Sequence, residues 1–220
     1  MNRHVPPLAP RPRGRPSADG NDPRERLLDT AIACFAAAGI RATSLRAIAQ
    51  GAGVTPAMLN YYFGNKTRLL DAVVEERLLP LVEGLAEQLR GADEEPLALA
   101  TAFVRGIAAS VRAQPWLPPL WVREILCEGG MLRELLVGRV APLVPLALAE
   151  RFAAASRAGR LNPGLDPRLL VVSLIGLGLL PYAAEPLWRS LFPDPALGDE
   201  ALLRHTLALL EHGLEVDHGR

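Results

Sequence analysis

The chain has 220 residues, of which 24 are Lys or Arg and 24 are Asp or Glu, so its formal net charge is zero. Half of the residues are hydrophobic and 22% are charged, which excludes a disordered chain and a fibrous low-complexity one. The length accommodates one or two domains with a sizeable core.

Residues 1–21 form a polar segment that is rich in Pro and Gly and has no hydrophobic periodicity. We predict a flexible basic arm over this range. It contains no apolar stretch of the kind that a secretory signal needs, and the two cysteines, Cys34 and Cys127, are too few for a disulfide framework. We therefore expect a cytoplasmic protein.

Four helices are predicted between residue 22 and about residue 90. Asp22-Pro23 is a typical helix start, and Gly39 is a typical stop for the first helix. Thr43 or Ser44 begins a short second helix, which Gly53 ends. Thr55-Pro56 begins a third helix that Gly64 closes, and Asn65 caps a longer fourth helix in which Pro80 predicts a kink or an end.

Hydrophobic periodicity continues in helical form to the end of the chain. The predicted segments are 65–90, 96–113, 116–127, 130–158, 166–184 and 199–216. No stretch alternates as a β-strand would, so we predict an all-α protein. The run Leu169–Ala184 has sixteen residues without a charge, fewer than the 20 or so that a bilayer span needs, and is expected to be buried against protein on both sides.

The second and third helices, joined by a tight turn and supported by the first, form a helix-turn-helix pattern that fits the major groove of DNA. Leu59 and Phe63 are expected to point inward. The predicted DNA contacts outside the arm are Thr43, Ser44, Arg46, Thr55, Ala57, Met58, Asn60, Tyr61, Tyr62 and Lys66. A generic bundle corner, with Tyr61-Tyr62-Phe63 as plain core, is the alternative interpretation.

The charges support contact of the N-terminal part with phosphate. Residues 1–68 carry ten basic and four acidic side chains, whereas the other 152 residues carry fourteen and twenty. In the arm, Arg11, Arg13 and Arg15 stand in an Arg-Pro-Arg-Gly-Arg-Pro stretch that resembles minor-groove hooks. A solvated tail is the other interpretation of the arm.

Residues 44–70 resemble the DNA-binding signature of the TetR family of bacterial transcriptional regulators. The matching residues are Ile48-Ala49, Ala52-Gly53-Val54, Thr55, Tyr61-Tyr62-Phe63 and Lys66. The sequence departs from the family pattern at Asn60, where most members carry Tyr, and at Ala57, where many carry Gly. The resemblance implies a dimeric, ligand-responsive regulator, more often a repressor than an activator, that binds a palindromic double-stranded DNA operator.

The predicted domains are the arm at 1–21, a helix-turn-helix domain at 22–66 and a helical effector-binding and dimerisation domain at 67–220. For a small, apolar effector, the candidate pocket residues are Arg105, Trp116, Trp121, Glu124, Met131 and Trp188. The tryptophans are equally consistent with plain core packing. The candidate interface residues of a homodimer are Leu170, Leu174, Leu177, Leu203, Leu207 and Leu210.

No enzyme, cofactor or metal site is predicted. Gly64-Asn65-Lys66-Thr67 lacks the upstream glycine and the strand of a phosphate-binding loop. His212 and Glu215 share a helix face but fit an exposed helix end better than a metal site. A helical small-molecule or membrane-surface binding protein, with the run at 169–184 in lipid, remains the alternative to a DNA-binding regulator.

Overall fold

The computed structural model describes residues 22–214. Every regular element within this range is helical, and no strand occurs in it, which confirms the predicted all-α class. The predicted contacts Arg11, Arg13 and Arg15 lie outside the described residues, as does Glu215.

The helices follow one another with short connections. The first part of the chain contains α1 (Pro23–Ala38), α2 (Leu45–Gly51), α3 (Pro56–Phe63), α4 (Lys66–Val73), a π-helical segment (Val74–Leu78), α5 (Leu79–Arg90) and α6 (Pro96–Ala113). The second part contains α7 (Leu117–Trp121), a π-helical segment (Val122–Leu126), α8 (Arg133–Leu135), a π-helical segment (Leu136–Val140), α9 (Pro145–Arg157), α10 (Pro167–Ala183), α11 (Glu185–Leu191) and α12 (Asp199–Leu214).

Side-chain caps fix the starts of the first four helices where the sequence predicts them. The capping side chains of Asp22, Ser44, Thr55 and Asn65 accept the backbone N–H groups of Arg24, Ala47, Met58 and Arg68, respectively. Gly39 and Gly64 end α1 and α3 with φ angles of 89° and 72°, a backbone region that favours glycine. Of the two candidate caps of α2, the structure selects Ser44 over Thr43.

Pro80 changes the hydrogen bonding of the long helix that runs from Lys66 to Arg90. Its ring has no N–H and clashes with the carbonyl four residues earlier, so the regular α pattern cannot continue through it. The turn before it widens into the π-helical segment, where the N–H of Leu79 donates to the carbonyl of Val74. The carbonyl of Glu76, which loses its partner, accepts Nη1 of Arg77 at 3.2 Å. The predicted kink is therefore a local change of helix type.

The buried side chains form two clusters. The N-terminal cluster combines α1, α2 and α3 with Leu69, Val73 and Leu79 of the long helix, and Leu120 and Leu132 from farther along the chain complete it. The C-terminal cluster lies between α5, α6, α9, α10 and α12. The core around the helix-turn-helix therefore uses side chains from beyond residue 66, so the division at 66/67 stays a prediction.

Two helix predictions are corrected by the structure. The segment 130–158 is interrupted over residues 141–144, because Pro142 and Pro145 each remove a backbone donor, and α9 begins only at Pro145. The sequence also missed α11, which follows α10 after Ala184.

The apolar run in α10 is buried on one face only. Leu170 and Leu174 lie in the C-terminal core, whereas Leu169, Val172 and Leu180 are exposed, so this chain alone covers one side of the run and burial of the other side stays a prediction. By length and apolarity, α6 is the one helix among residues 22–214 that would suffice to cross a membrane, and half of it is buried inside the chain. α10 and α11 would pass the same test together, but they meet at an angle of 69°.

Candidate nucleic-acid interface

The helix α3 separates its residues into a buried face and an exposed face. Leu59 and Phe63 are buried, as predicted, and anchor the helix to the N-terminal core. On the other face, Thr55, Ala57 and Asn60 are exposed, Met58 is half-buried, and the Tyr61 side chain is 84% exposed. A short helix with small, polar and phenolic side chains on an open face has the dimensions and chemistry to enter a major groove.

The helix α2 packs against α1 and α3, which is the helix-turn-helix arrangement. Ile48 and Ala49 of α2 are buried, whereas Ser44 and Arg46 are exposed at its start. Thr43 differs from its neighbours because it is buried and its hydroxyl donates to the carbonyl of Gly39 at 2.7 Å. Thr43 therefore stabilises the turn between α1 and α2, and its contact with DNA stays a prediction.

The start of α4 lies next to the end of α3. The ammonium group of Lys66 donates to the carbonyl of Arg41 at 3.0 Å, which ties α4 to the turn between α1 and α2. Tyr62 is half-buried, with its ring centroid 5.4 Å from that of Tyr61 in an edge-on arrangement. Both residues are thus held beside the exposed face of α3, and their contact with DNA stays a prediction.

Sequence reasoning left out two arginines near this face. Arg41 is exposed in the turn between α1 and α2, and its carbonyl accepts Lys66. Arg68 is exposed in the first turn of α4, and one of its terminal nitrogens lies 3.8 Å from the position that a Cβ atom would take at Gly64. Arg68 follows Lys66 by two residues, so the sequence could have predicted it as a second basic residue beside the DNA-binding face. The position of Arg41 depends on the fold of the turn.

Ion pairs brace this unit against the π-helical segment Val74–Leu78. The guanidinium of Arg24 donates through both terminal nitrogens to the carboxylate of Glu76 and lowers the pKa of that carboxyl below its usual value. Arg77 donates to Asp29 at 2.8 Å and to Glu25 at 2.6 Å. The start of α1 is therefore joined at several points to the long helix that leaves the N-terminal core.

The predicted pocket residue Glu124 has a different environment from the one expected. It is buried, and its two carboxylate oxygens accept the backbone N–H of Ile40 at 2.8 Å and of Met131 at 3.0 Å. The neighbouring Arg123 donates to the carbonyl of Ala36 at 3.3 Å. Glu124 and Arg123 thus attach the segment after α7 to the end of α1.

The other predicted pocket residues are not brought together. Trp116 packs on the N-terminal cluster, Trp121 packs on the C-terminal cluster, and the indole N–H of Trp188 donates to the carbonyl of Pro181 at 2.7 Å. Arg105 and Met131 are exposed. A cavity of about 650 Å³ does occur in the chain, but it lies between α6, α11 and α12, and none of the six predicted residues lines it.

The predicted interface leucines face the interior of the chain. Leu170, Leu174 and Leu210 are buried in the C-terminal core, and three more, Leu177, Leu203 and Leu207, are half-buried against it. The sequence spacing correctly placed these leucines on the apolar faces of α10 and α12. In the structure, however, these faces pack against α6 and α9 of the same chain. Leu170, Leu174 and Leu210 are therefore too buried to contribute much to an interface, whereas a role of the half-buried Leu177, Leu203 and Leu207 stays a prediction.

The comparisons with known proteins agree with the geometry of the N-terminal unit. Residues 27–73 match the profile described as "Bacterial regulatory proteins, tetR family". The N-terminal unit is therefore a TetR-type helix-turn-helix domain. RutR of Escherichia coli K12, an HTH-type transcriptional regulator, is 29% identical over 151 residues, which cover 67% of this chain and 68% of RutR. The alignments with three other curated regulators span only 30% to 48% of those proteins.

Solved structures of TetR-like regulators share the fold over most of the chain. The ketosteroid transcriptional regulator KstR2 of Mycobacterium tuberculosis superposes with a TM-score of 0.68 at 20% identity and covers 91% of this chain and 98% of its own. FadR of Bacillus subtilis in complex with stearoyl-CoA has a TM-score of 0.64 at 19% identity, with coverage of 86% and 98%. At these identities the likeness extends to the fold alone.

Proposed function

We propose that the protein is a DNA-binding transcriptional regulator that reads its operator with the exposed face of α3. The observation that carries this proposal is the division of α3 between buried Leu59 and Phe63 and exposed Asn60 and Tyr61, in a unit that matches the TetR family. Side chains on such a face donate and accept hydrogen bonds at base edges, while Arg46, Lys66 and the missed Arg41 and Arg68 contact phosphates.

The regulator acts as a homodimer in this proposal. Helices α10, α11 and α12 each expose large apolar side chains, and these form the exposed apolar row of the proposal: Leu169, Val172, Leu180, Leu187, Leu191 and Leu209, each more than half exposed. Exposed apolar side chains of this size commonly mark a contact with a partner. If the partner is a second copy related by a two-fold axis, the same surface of each copy is covered by the other. Two heads related by that axis read an operator with matching inverted halves.

A small molecule regulates DNA binding by favouring one arrangement of the heads. Two of the connections between the N-terminal unit and the rest of the chain support such coupling: the long helix from Lys66 to Arg90 and the attachment of Glu124 to Ile40. Relief of repression is the expected response. FadR of Bacillus subtilis, which shares the fold, was solved in complex with stearoyl-CoA, so a fold of this type can bind a small molecule.

The arginines of the N-terminal segment add contacts in the minor groove beside the operator in this proposal. The support for it is the Arg-Pro-Arg-Gly-Arg-Pro sequence itself, with Arg11, Arg13 and Arg15. Deletion of residues 1–20 is expected to weaken operator binding and to reduce the slope of log K against log salt. An unchanged slope would contradict these contacts.

The experiment that tests the proposed function is selection from a pool of duplexes with a randomised central region. Purified full-length protein should enrich one sequence with two inverted half-sites. A pool that remains random after repeated rounds, with protein that is folded by circular dichroism, would overturn the proposed function.

A further inference from the structure

The cavity between α6, α11 and α12 is lined by three guanidinium groups. They belong to Arg112 at the end of α6, Arg189 in α11 and Arg204 in α12, and the cavity has a volume of about 650 Å³. The carboxylates of Asp199 and Glu200 also line it. The lining residues therefore carry three cationic groups and two anionic ones, and Glu185, outside the lining, pairs with Arg189.

The three arginines differ in a way that suits ligand binding. Arg189 is held in place, because it donates to Glu185, donates to the carbonyl of Leu197 at 3.1 Å, and lies with its guanidinium 4.9 Å from the centre of the Trp188 ring. Arg112 and Arg204 form no hydrogen bond or ion pair with any residue in the range 22–214. Two exposed guanidiniums that have no hydrogen-bond or ion-pair partner among residues 22–214 thus line the same open cavity as a third that is held in place.

We infer that this cavity binds a small molecule through a phosphate or carboxylate group. Guanidinium groups donate in a planar fork that matches both kinds of anion, and the bonds they form are charge-assisted. The size of the cavity suits a small molecule. This cavity has a polar lining, whereas the sequence predicted an apolar effector pocket. The inferred ligand is therefore an anion. Asp199 and Glu200 can accept hydrogen bonds from hydroxyl or amine groups of that ligand.

The position of the cavity connects it to the N-terminal unit. Arg112 lies in the last turn of α6, and the chain continues through Gln114 into Trp116, which packs on the N-terminal cluster. Beyond α7 follows Glu124, which accepts the N–H of Ile40. An anion that draws Arg112 toward Arg189 therefore acts on the segment that holds the end of α1. The assignment of the anion as an effector rests on the proposed function, whereas its binding does not.

Calorimetric titration of the full-length protein tests the binding, with inorganic pyrophosphate and with citrate as the two probes. Saturable binding is expected for at least one of them, and the stronger of the two tells phosphate from carboxylate. The double substitution Arg112→Ala/Arg204→Ala should weaken that binding at least about tenfold, because it removes the two unpaired donors. Arg157→Ala, which removes an exposed arginine of α9 outside the cavity, is the matched control and should bind as the wild type does.

Absence of saturable binding for both probes, or equal affinity in the double variant, would overturn the site. The effector role is tested separately, by measuring the affinity for the selected duplex with and without the bound probe. A change in that affinity supports the role, and an unchanged affinity overturns it while the binding site stands. A protein that selects no DNA sequence would contradict the proposed function without affecting the calorimetric result.

Discussion

The carboxylate of Glu124 accepts the backbone N–H of Ile40 at 2.8 Å, across 84 positions of the sequence. Ile40 follows the end of α1, and its side chain is buried in the N-terminal core. Glu124 belongs to the segment after α7, and its second oxygen accepts Met131. This buried carboxylate therefore joins the body of the chain to the unit that carries α3, and Gly39 leaves room for it, since a Cβ there would lie 3.3 Å from its Oε1.

Replacement of Glu124 by Ala should destabilise the protein by about 1–3 kcal/mol, because it leaves the buried N–H of Ile40 and the partly buried N–H of Met131 without their acceptor. Urea denaturation measures this loss. Glu128→Ala, an exposed position four residues later, is the control and should lie within about 0.5 kcal/mol of the wild type. A Glu124→Ala protein as stable as the control would show that the attachment contributes nothing.

The buried and exposed faces of α3 should respond to substitution in opposite ways. Leu59→Ala removes a side chain that is 1% exposed and should cost about 2–5 kcal/mol of folding free energy. Tyr61→Ala should change stability by less than about 0.5 kcal/mol, since its ring has few contacts to lose. Thermal melting and urea denaturation compare the two. A large loss of stability in Tyr61→Ala would assign this ring to the core.

The ion pair between Arg24 and Glu76 should make the free energy of unfolding depend on pH in the acidic range. The pKa of Glu76 is lower in the folded chain than in the unfolded one, so the pair stabilises the fold above about pH 4.3 and loses its effect as the pH falls through the lower, folded pKa. The exposure of the pair limits the contribution to about 0.2–1 kcal/mol.

Glu76→Gln should therefore lower the melting temperature slightly at pH 7 and flatten its fall between about pH 5 and pH 3. Glu134→Gln, at an exposed position, is the control and should follow the wild-type curve. Identical pH profiles for Glu76→Gln and the wild type would contradict the assigned role of the pair.

The exposed apolar row on α10, α11 and α12 should be the dimer interface. Val172→Asp places a charge in the middle of this row and is expected to give a monomer at micromolar concentration with an intact helical spectrum. Leu146→Asp alters an exposed leucine of α9, outside the row, and should leave the dimer unchanged. Sedimentation velocity distinguishes the two. Sedimentation of the wild-type protein as a monomer would contradict the proposed interface.

Local signals in the sequence predicted the helices well where caps and prolines act on their own neighbours. Asp22, Thr55 and Asn65 cap the helices that they were expected to begin, and α6 has the predicted bounds 96–113. The interruption before Pro145 was missed because the apolar period continues through it. Periodicity alone does not tell which of two apolar faces meets the chain's own core, so Leu170 and Leu174 were assigned to a partner.

Contacts between residues far apart in the sequence could not be predicted from its local patterns. Glu124 was assigned to a pocket because a charged residue near tryptophans suits a ligand anchor, whereas its two partners are backbone groups that any sequence would supply. Arg112, Arg189 and Arg204 lie far apart along the chain, and only the packing of α6, α11 and α12 brings them to one cavity. The family resemblance extended to the N-terminal quarter and so gave no information about this region.

The central claim, that α3 reads DNA through its exposed face, is tested most directly by fluorescence anisotropy on the selected duplex. Wild-type protein should bind it far more tightly than a scrambled duplex. Tyr61→Ala should lose at least about fivefold in affinity, as loss of a contact worth about 1–3 kcal/mol predicts, with an unchanged melting temperature. Equal affinity of the wild type and Tyr61→Ala for the selected duplex, or equal affinity of the wild type for both duplexes, would contradict it.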